Sequence, residues 1–415
     1  MTLIGNNLRS YIRKVRLFQH NTRLYLLYLI ISGVAFGVYA LLFNFYILGL
    51  GYDEALLGRL LSVNSTAALI GALPAGAVSD RLGRKRALLI SGLVTALAIA
   101  GLVVWPSVPG LFVMSVFMGL AQSLGAVTLA PFLMENSGEE ERTYLFSFSF
   151  SLQMLIGMVG FWLGGRLPGW LGSTDAYTGV MVGVAATAVF ALAPLLFLRE
   201  TKGMGTAVIN PLSPLRYARR NPILLGKFIT PLLLTALGAG LFVPFMNVFF
   251  RNQYHIDDAA IGCLFAAGSL TMGLGFLLAP PLADRYGKIR LVILTQVLFI
   301  PALVLLGFAP WFWLSAAAYL VRVVLMTMDD PIYQAFVMES VEQEARATVA
   351  SLLTMASSLG WAVGPTISGW LQVTYGFAPV FLIVVGLYVI TVLLTWRFFG
   401  KQARSVQFSG SMPAS

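Results

Sequence analysis

Residues 76–86 read Gly76-Ala-Val-Ser-Asp80-Arg81-Leu-Gly83-Arg84-Lys85-Arg86, and residues 280–290 read Pro280-Pro-Leu-Ala-Asp284-Arg285-Tyr-Gly287-Lys288-Ile-Arg290. The two stretches stand 204 residues apart, and that offset holds well beyond them. Upstream, Asp53 and Gly58 fall on Asp257 and Gly262. Downstream, Phe132, Met134, Glu135, Glu140, Arg142, Gly160 and Gly165 fall on Phe336, Met338, Glu339, Glu344, Arg346, Gly364 and Gly369. Chance matching of apolar residues does not keep charges and glycines in one register over such a length, so the chain is two copies of one unit.

Composition says what solvent each copy meets. Of 415 residues, 58% are hydrophobic and 11% charged, with a mean hydropathy of +0.83. That balance does not make a water-soluble surface. Apolar runs recur along the chain, among them Leu24 to Leu48, Ala87 to Trp105 and Pro379 to Trp396. Each matches the roughly 20 residues a helix needs to cross hydrocarbon. Twelve such spans are expected, starting near Leu24, Leu56, Ala87, Leu111, Tyr144, Tyr177, Phe228, Ala259, Leu291, Phe312, Thr348 and Pro379. Backbone groups in lipid must be satisfied within the segment, and short alternating strands would not give unbroken apolar runs. The expected fold is all-α and embedded in a lipid bilayer, with two six-helix repeats in parallel orientation about an axis along the membrane normal.

The basic residues set the topology. With the amino terminus inside, every Lys and Arg except Arg59, Arg166, Arg251 and Arg322 falls in a cytoplasmic segment, and shifting by one span reverses the bias. The net charge of +10 is therefore a topology signal. No soluble domain is present to offer nucleic acid a basic face. The expected divisions are a basic amino-terminal segment 1–23, helical bundles 24–198 and 228–398, a cytoplasmic linker 199–227 and a cytoplasmic tail 399–415. Segment 1–23 is polar and basic and lacks the small-residue cleavage site of a secretory signal, leaving a surface helix or a disordered arm as its two readings. Cys263 is the single cysteine, so intrachain disulfides and cysteine-rich metal sites are excluded.

The loop Gly76 to Arg86 and its copy resemble the signature loop of the major facilitator superfamily, G-x-x-x-D-[RK]-x-G-R-[RK]. Twelve spans, paired halves and a long central connection extend the likeness over the whole chain. The resemblance implies a secondary transporter for a small-molecule substrate, working by rocker-switch alternating access, without a cofactor and as a monomer, in a bacterial inner membrane. It also implies a cytoplasmic latch of Gly76, Asp80, Arg81, Gly83, Arg84 and Glu135, with Asp284, Arg285, Gly287 and Glu339 as its weaker copy. In physical terms, Gly83 permits a tight turn and Gly76 lets another helix come close. Asp80 would meet the amides that begin the eleventh span, near Arg346 to Ser351, and Arg84 would pair with Glu135. Topology alone is the competing reading of these charges. Gly160 and Gly164 in the fifth span, and Gly360, Gly364 and Pro365 in the eleventh, suit close packing or a hinge.

Ionisable side chains inside a span are costly, so they face a cavity or a partner. Arg322, Asp329 and Asp330 share the tenth span, the arginine two turns from the aspartates, where one cavity could serve both. Asp330-Pro331 also reads as a helix restart, with aspartate as cap and proline first. The bland alternative pairs Asp329 with Arg322 to hold the helix. A proton is the coupling ion these carboxylates suggest. Further polar or aromatic candidates for a cavity are Tyr39, Asn44, Gln122, Gln153, Asn247 and Trp361, with interhelical hydrogen bonding equally open. An enzyme is disfavoured, because His20 and His255 are the only histidines and lie at opposite ends of the spans. No P-loop is present for ATP-driven pumping. Efflux is expected over uptake, with a non-cycling sensor or scaffold as the alternative of another class.

Overall fold

The computed structural model describes residues 18–172, 175–200, 219, 221–342 and 345–409. Twelve helical rods follow one another in it. They are α1 His20–Gly49, α2 Glu54–Leu82, α3 Arg84–Val104, α4 Val108–Glu135, α5 Glu139–Leu171 and α6 Ala176–Leu196, then α7 Pro222–Tyr254, α8 Asp258–Tyr286, α9 Lys288–Phe308, α10 Phe312–Glu339, α11 Arg346–Tyr375 and α12 Ala378–Ser409. Rod α6 breaks at Ala191, and α7 carries a 3₁₀ turn at Val243–Phe245. Most of segment 1–23 and of the linker 199–227, including Lys202, Arg216, Pro211 and Pro214, lies outside the described residues.

Eleven rods are long and apolar enough to cross a membrane; the exception is α11. At 30 residues it is roughly 45 Å long, so length is not the obstacle. Ser351, Thr354, Ser357, Ser358, Gly360, Gly364, Thr366, Ser368 and Gly369 dilute its apolar content. The eleventh span expected from sequence is thus present as a helix without the hydropathy of its neighbours.

The duplication is written into the backbone. Positive φ occurs at Gly83 (85°) and Gly287 (83°), at Gly172 (58°) and Gly376 (78°), and at Gly51 (88°) and His255 (50°), each pair 204 residues apart. The helix starts repeat too: Asp53 Oδ1 accepts from Leu56 N at 2.8 Å, and Asp257 Oδ1 from Ala260 N at 2.9 Å. So do the packings. In the first copy α1 packs on α5 and α6, and α3 on α4 and α6; in the second, α7 packs on α11 and α12, and α9 on α10 and α12.

By contacts the chain forms two compact units, 1–50 with 63–208 and 257–266, and 51–62 with 209–256 and 267–415. The starts of α2 and α8 have therefore changed places. Within the first unit Gly262 lies against Gly165, and a methyl on either would come within 3.0 Å of the other's backbone. Within the second unit a methyl on Gly58 would come 2.2 Å from Pro365 O and one on Gly369 would come 2.1 Å from Glu54 O, and Ser62 Oγ accepts from Thr366 N at 3.0 Å. Leucines, valines and tryptophans such as Leu73, Val104, Leu277 and Trp313 are exposed.

Candidate functional site

Polar clusters interrupt the apolar interior, and three of those among the described residues hold residues singled out by the sequence. The first lies where α2, α3 and α4 meet in the first unit. Gly83, in its left-handed conformation, turns the chain within one residue, so α3 begins at Arg84 beside the end of α2. The Arg84 guanidinium is 3% exposed. It reaches Asp80 Oδ1 at 2.6 Å and Glu135 Oε1 at 3.0 Å, and donates to Ser79 Oγ at 2.8 Å. Thr128 Oγ1 stands 3.0 Å from the same Ser79 oxygen. Arg81 is exposed. The following residues turn to the end of α6 and the segment after it, where Lys85 Nζ donates to Leu196 O at 2.8 Å and Arg86 pairs with Glu200 at 3.3 Å. Gly76 corrects the sequence reading, since a methyl there would meet only Val127, at an ordinary 3.8 Å. No close helix approach needs that glycine.

The second copy of this loop keeps the turn and loses the network. Lys288 pairs with Glu339, with exposures of 34% and 61%. Ala283 and Ile332 occupy the positions of Ser79 and Thr128, and both sink into an apolar core. Asp284 is exposed, and Arg285 lies over the Tyr286 ring at 5.4 Å.

A second cluster lies on α10 in the second unit. Arg322 is 3% exposed, with its guanidinium 4.0 Å from the Phe242 ring centroid and 5.2 Å from that of Phe299. One Nη donates to Met326 Sδ at 3.2 Å, Tyr319 and Tyr388 stand alongside, and Nε is buried without a partner. Among the described residues no carboxylate lies within 4.0 Å of it. The alternative reading, in which Asp329 pairs with Arg322 to hold the helix, is therefore not met. Aromatic faces take the place of a counter-ion, as cation–π contacts can. Asp329 turns to α9, where Gln296 Nε2 donates to its Oδ2 at 3.0 Å. The expected restart at Asp330-Pro331 is likewise absent, because α10 runs unbroken from Phe312 to Glu339 through Pro331. Membrane helices tolerate an internal proline when neighbours take over the freed groups. Asp330 is exposed.

The third cluster is a cavity of about 160 Å³ inside the first unit, between α1, α4 and α5. Gln153, Ser149 and Tyr25 are its polar lining among leucines, alanines and phenylalanines, and Ser149 Oγ has no partner. The other sequence candidates are dispersed. Tyr39 rests on Phe36 and Phe43, Asn44 and Asn247 are buried, and Gln122 and Trp361 are half-buried. The glycines of α5 and α11 serve packing within each copy. Gly160 lies on Gly37 and Gly164 on Val38 of α1, while Gly360 and Gly364 lie on Ala236 and Gly240 of α7.

The residues that complete these clusters, Ser79, Thr128, Ser149, Gln296, Phe242, Phe299, Tyr319 and Tyr388, are not singled out by sequence. Gln296 had a signal, as the one amide within an otherwise apolar span.

The sequence profile of the Major Facilitator Superfamily matches residues 24–242 and again residues 232–413. Tetracycline resistance protein, class H, of Pasteurella multocida is 24% identical over 321 residues, 74% of this chain and 77% of that protein. Sugar efflux transporter A of Dickeya chrysanthemi is 28% identical over 193 residues, 45% of this chain and 48% of that one. Among solved structures, a point mutant of the nucleoside transporter NupG superposes with a TM-score of 0.75 at 18% identity, covering 91% of this chain and all of that chain. With the profile matching both copies, the chain belongs to the major facilitator superfamily, the secondary transporters that carry small molecules across membranes by alternating access.

Proposed function

We propose that this carrier exports small amphipathic organic solutes in exchange for protons across a bacterial inner membrane, with both termini in the cytoplasm. The observation that carries the reading is the pair of unlike charges inside α10: Arg322 among aromatic rings, with no acid among the described residues within ion-pair distance, and Asp329 held by a neutral amide. Intramembrane charge of this kind marks substrate and ion pathways. Export is favoured by the names of the two relatives, one a resistance protein and one an efflux transporter.

In this reading the bundles 24–198 and 228–398 provide alternating access, joined by the cytoplasmic connection 199–227, with 1–23 and 399–415 on the cytoplasmic side. Arg84, held by Asp80, Glu135 and Ser79, is the inner latch. Its second copy, an exposed lysine–glutamate pair, contributes less. Arg322, a buried cation among aromatic rings in the second unit, is the group that would orient an anionic or strongly polar part of the solute.

The test is flux into and out of proteoliposomes for a panel of lipophilic drugs, sugars and nucleosides, with and without a proton or a sodium gradient. Movement of a panel member against its own gradient, driven by protons entering from the other side, supports the reading. Driven flux only with sodium, or only in the direction of the proton, overturns it.

A further inference from the structure

Asp329 and Gln296 leave two buried atoms unmatched. Gln296 is 6% exposed and gives one hydrogen bond, Nε2 to Asp329 Oδ2, at 3.0 Å. The other atoms of the same two groups, Gln296 Oε1 and Asp329 Oδ1, are both buried without a partner. An amide oxygen accepts only, and so does an ionised carboxylate. Two orphaned acceptors on one bonded pair are what a single missing proton would reconcile.

The hydroxyls around the carboxyl each have a backbone carbonyl to donate to. On α9, Thr295 Oγ1 lies beside it but donates to Leu291 O and Val292 O, at 3.0 and 2.9 Å. On α10, Tyr333 donates its hydroxyl to Phe228 O of α7 at 2.7 Å. On α12, Tyr388 donates to Thr235 O at 3.3 Å. Arg322, on the same helix, lies over Phe242 and Phe299 and beyond ion-pair distance. The remaining charged neighbour is Asp330, whose negative charge does nothing to stabilise a second one.

We propose that Asp329 holds a proton on Oδ1 in this state, closing a two-bond carboxylic acid–amide ring with Gln296, and that this ring is where the coupling proton is carried. The O–H of Asp329 donates to Gln296 Oε1 while Gln296 Nε2 donates to Asp329 Oδ2, so both orphans are satisfied by one proton. Release of that proton leaves a carboxylate with one amide donor, which forces the ring to open toward water or a cation. Proton occupancy and the seating of α9 on α10 are thereby linked. The assignment of a coupling role rests on the proton-exchange reading above; the protonated ring does not.

Infrared difference spectroscopy of the full chain in lipid nanodiscs, with no solute, reads the proton directly. The wild type at pH 7 is expected to show a protonated-carboxyl stretch that Asp329→Asn removes, Asp330→Asn leaves, and Gln296→Leu shifts as the ring bond is lost. The band should be lost as the pH is raised above 7, as an exchangeable site requires. No band at pH 7, loss of the band in Asp330→Asn instead, or a band unmoved by Gln296→Leu overturns the ring. A band insensitive to pH overturns its role as a carrier of protons. Should Asp329→Asn fail to give a monodisperse protein, Gln296→Leu against wild type still decides, because a free carboxyl and an amide-bonded one absorb differently. Flux that ignores the pH gradient, with the band present and titrating, retires the exchange reading and leaves the ring standing.

Discussion

Arg84 Nε stands 3.0 Å from Glu135 Oε1, with the side chains 3% and 6% exposed, whereas their counterparts Lys288 and Glu339 are 34% and 61% exposed. One pairing is thus a buried ion pair and its copy a surface one, and the two respond differently to substitution. Removing one partner of a buried pair costs about 3–5 kcal/mol. Glu135→Ala is expected near the lower end, because Arg84 keeps Asp80 and Ser79. Glu339→Ala should cost less than about 1 kcal/mol. Thermal unfolding of both variants in one detergent compares them, and equal losses would contradict the asymmetry.

The latch makes a conformational prediction as well. Asp80→Asn weakens the shortest contact of Arg84, at 2.6 Å. A latch that closes the cytoplasmic side should then open more often. In a Cys263→Ser background, single cysteines near the inner ends of α4 and α10 should label faster with a membrane-impermeant maleimide than in the parent, and those near the start of α8 more slowly. Unaltered labelling at both faces would reduce these charges to topology signals.

Helix packing gives a sharper contrast. A side chain at Gly160 would meet the Gly37 backbone within 3 Å, and one at Gly364 the Gly240 backbone, whereas Gly169 has nothing within 4 Å. Gly160→Val and Gly364→Val should each lose about 1–3 kcal/mol through overpacking. Gly169→Ala should leave stability unchanged or slightly raised. Melting temperatures in detergent check the order, which fails if all three variants behave alike.

His255 holds φ at 50°, the conformation its counterpart Gly51 adopts at 88°. A left-handed residue other than glycine carries strain of about 1–3 kcal/mol, partly offset because glycine gives the unfolded chain more freedom. His255→Gly is expected to raise the melting temperature modestly, and Gly51→His to lower it. A lower melting point for His255→Gly would mean that the imidazole makes contacts worth more than the strain.

Much of this was legible before any coordinates. Charges and glycines at one offset announced the duplication, and the apolar runs located the rods to within several residues. The partner of Arg84 came with the resemblance of the loop Gly76 to Arg86 to a family signature, which implied Glu135. The site on α10 was legible only as a set of charges. Sequence places Arg322 and Asp329 two turns apart, which suggested they would meet, but the contacts that decide come from other helices. Phe242 and Phe299 draw Arg322 one way, and Gln296 draws Asp329 another. Pro331 misled for a related reason, since a helix supported on its flanks need not break where its own hydrogen bonding lapses. Gly76 matched a motif without meeting the steric need that would explain it.

The shortfall of α11 bears on how the protein is made. A segment below the hydropathy of its eleven companions gains less from entering lipid by itself during synthesis. Its glycines fit the backbone of α7, a helix that leaves the ribosome more than a hundred residues earlier. A helix that gains less from lipid alone leans more on its packing against α7, so substitutions at Gly240, Gly360 or Gly364 are expected to lower the yield of protein in the membrane.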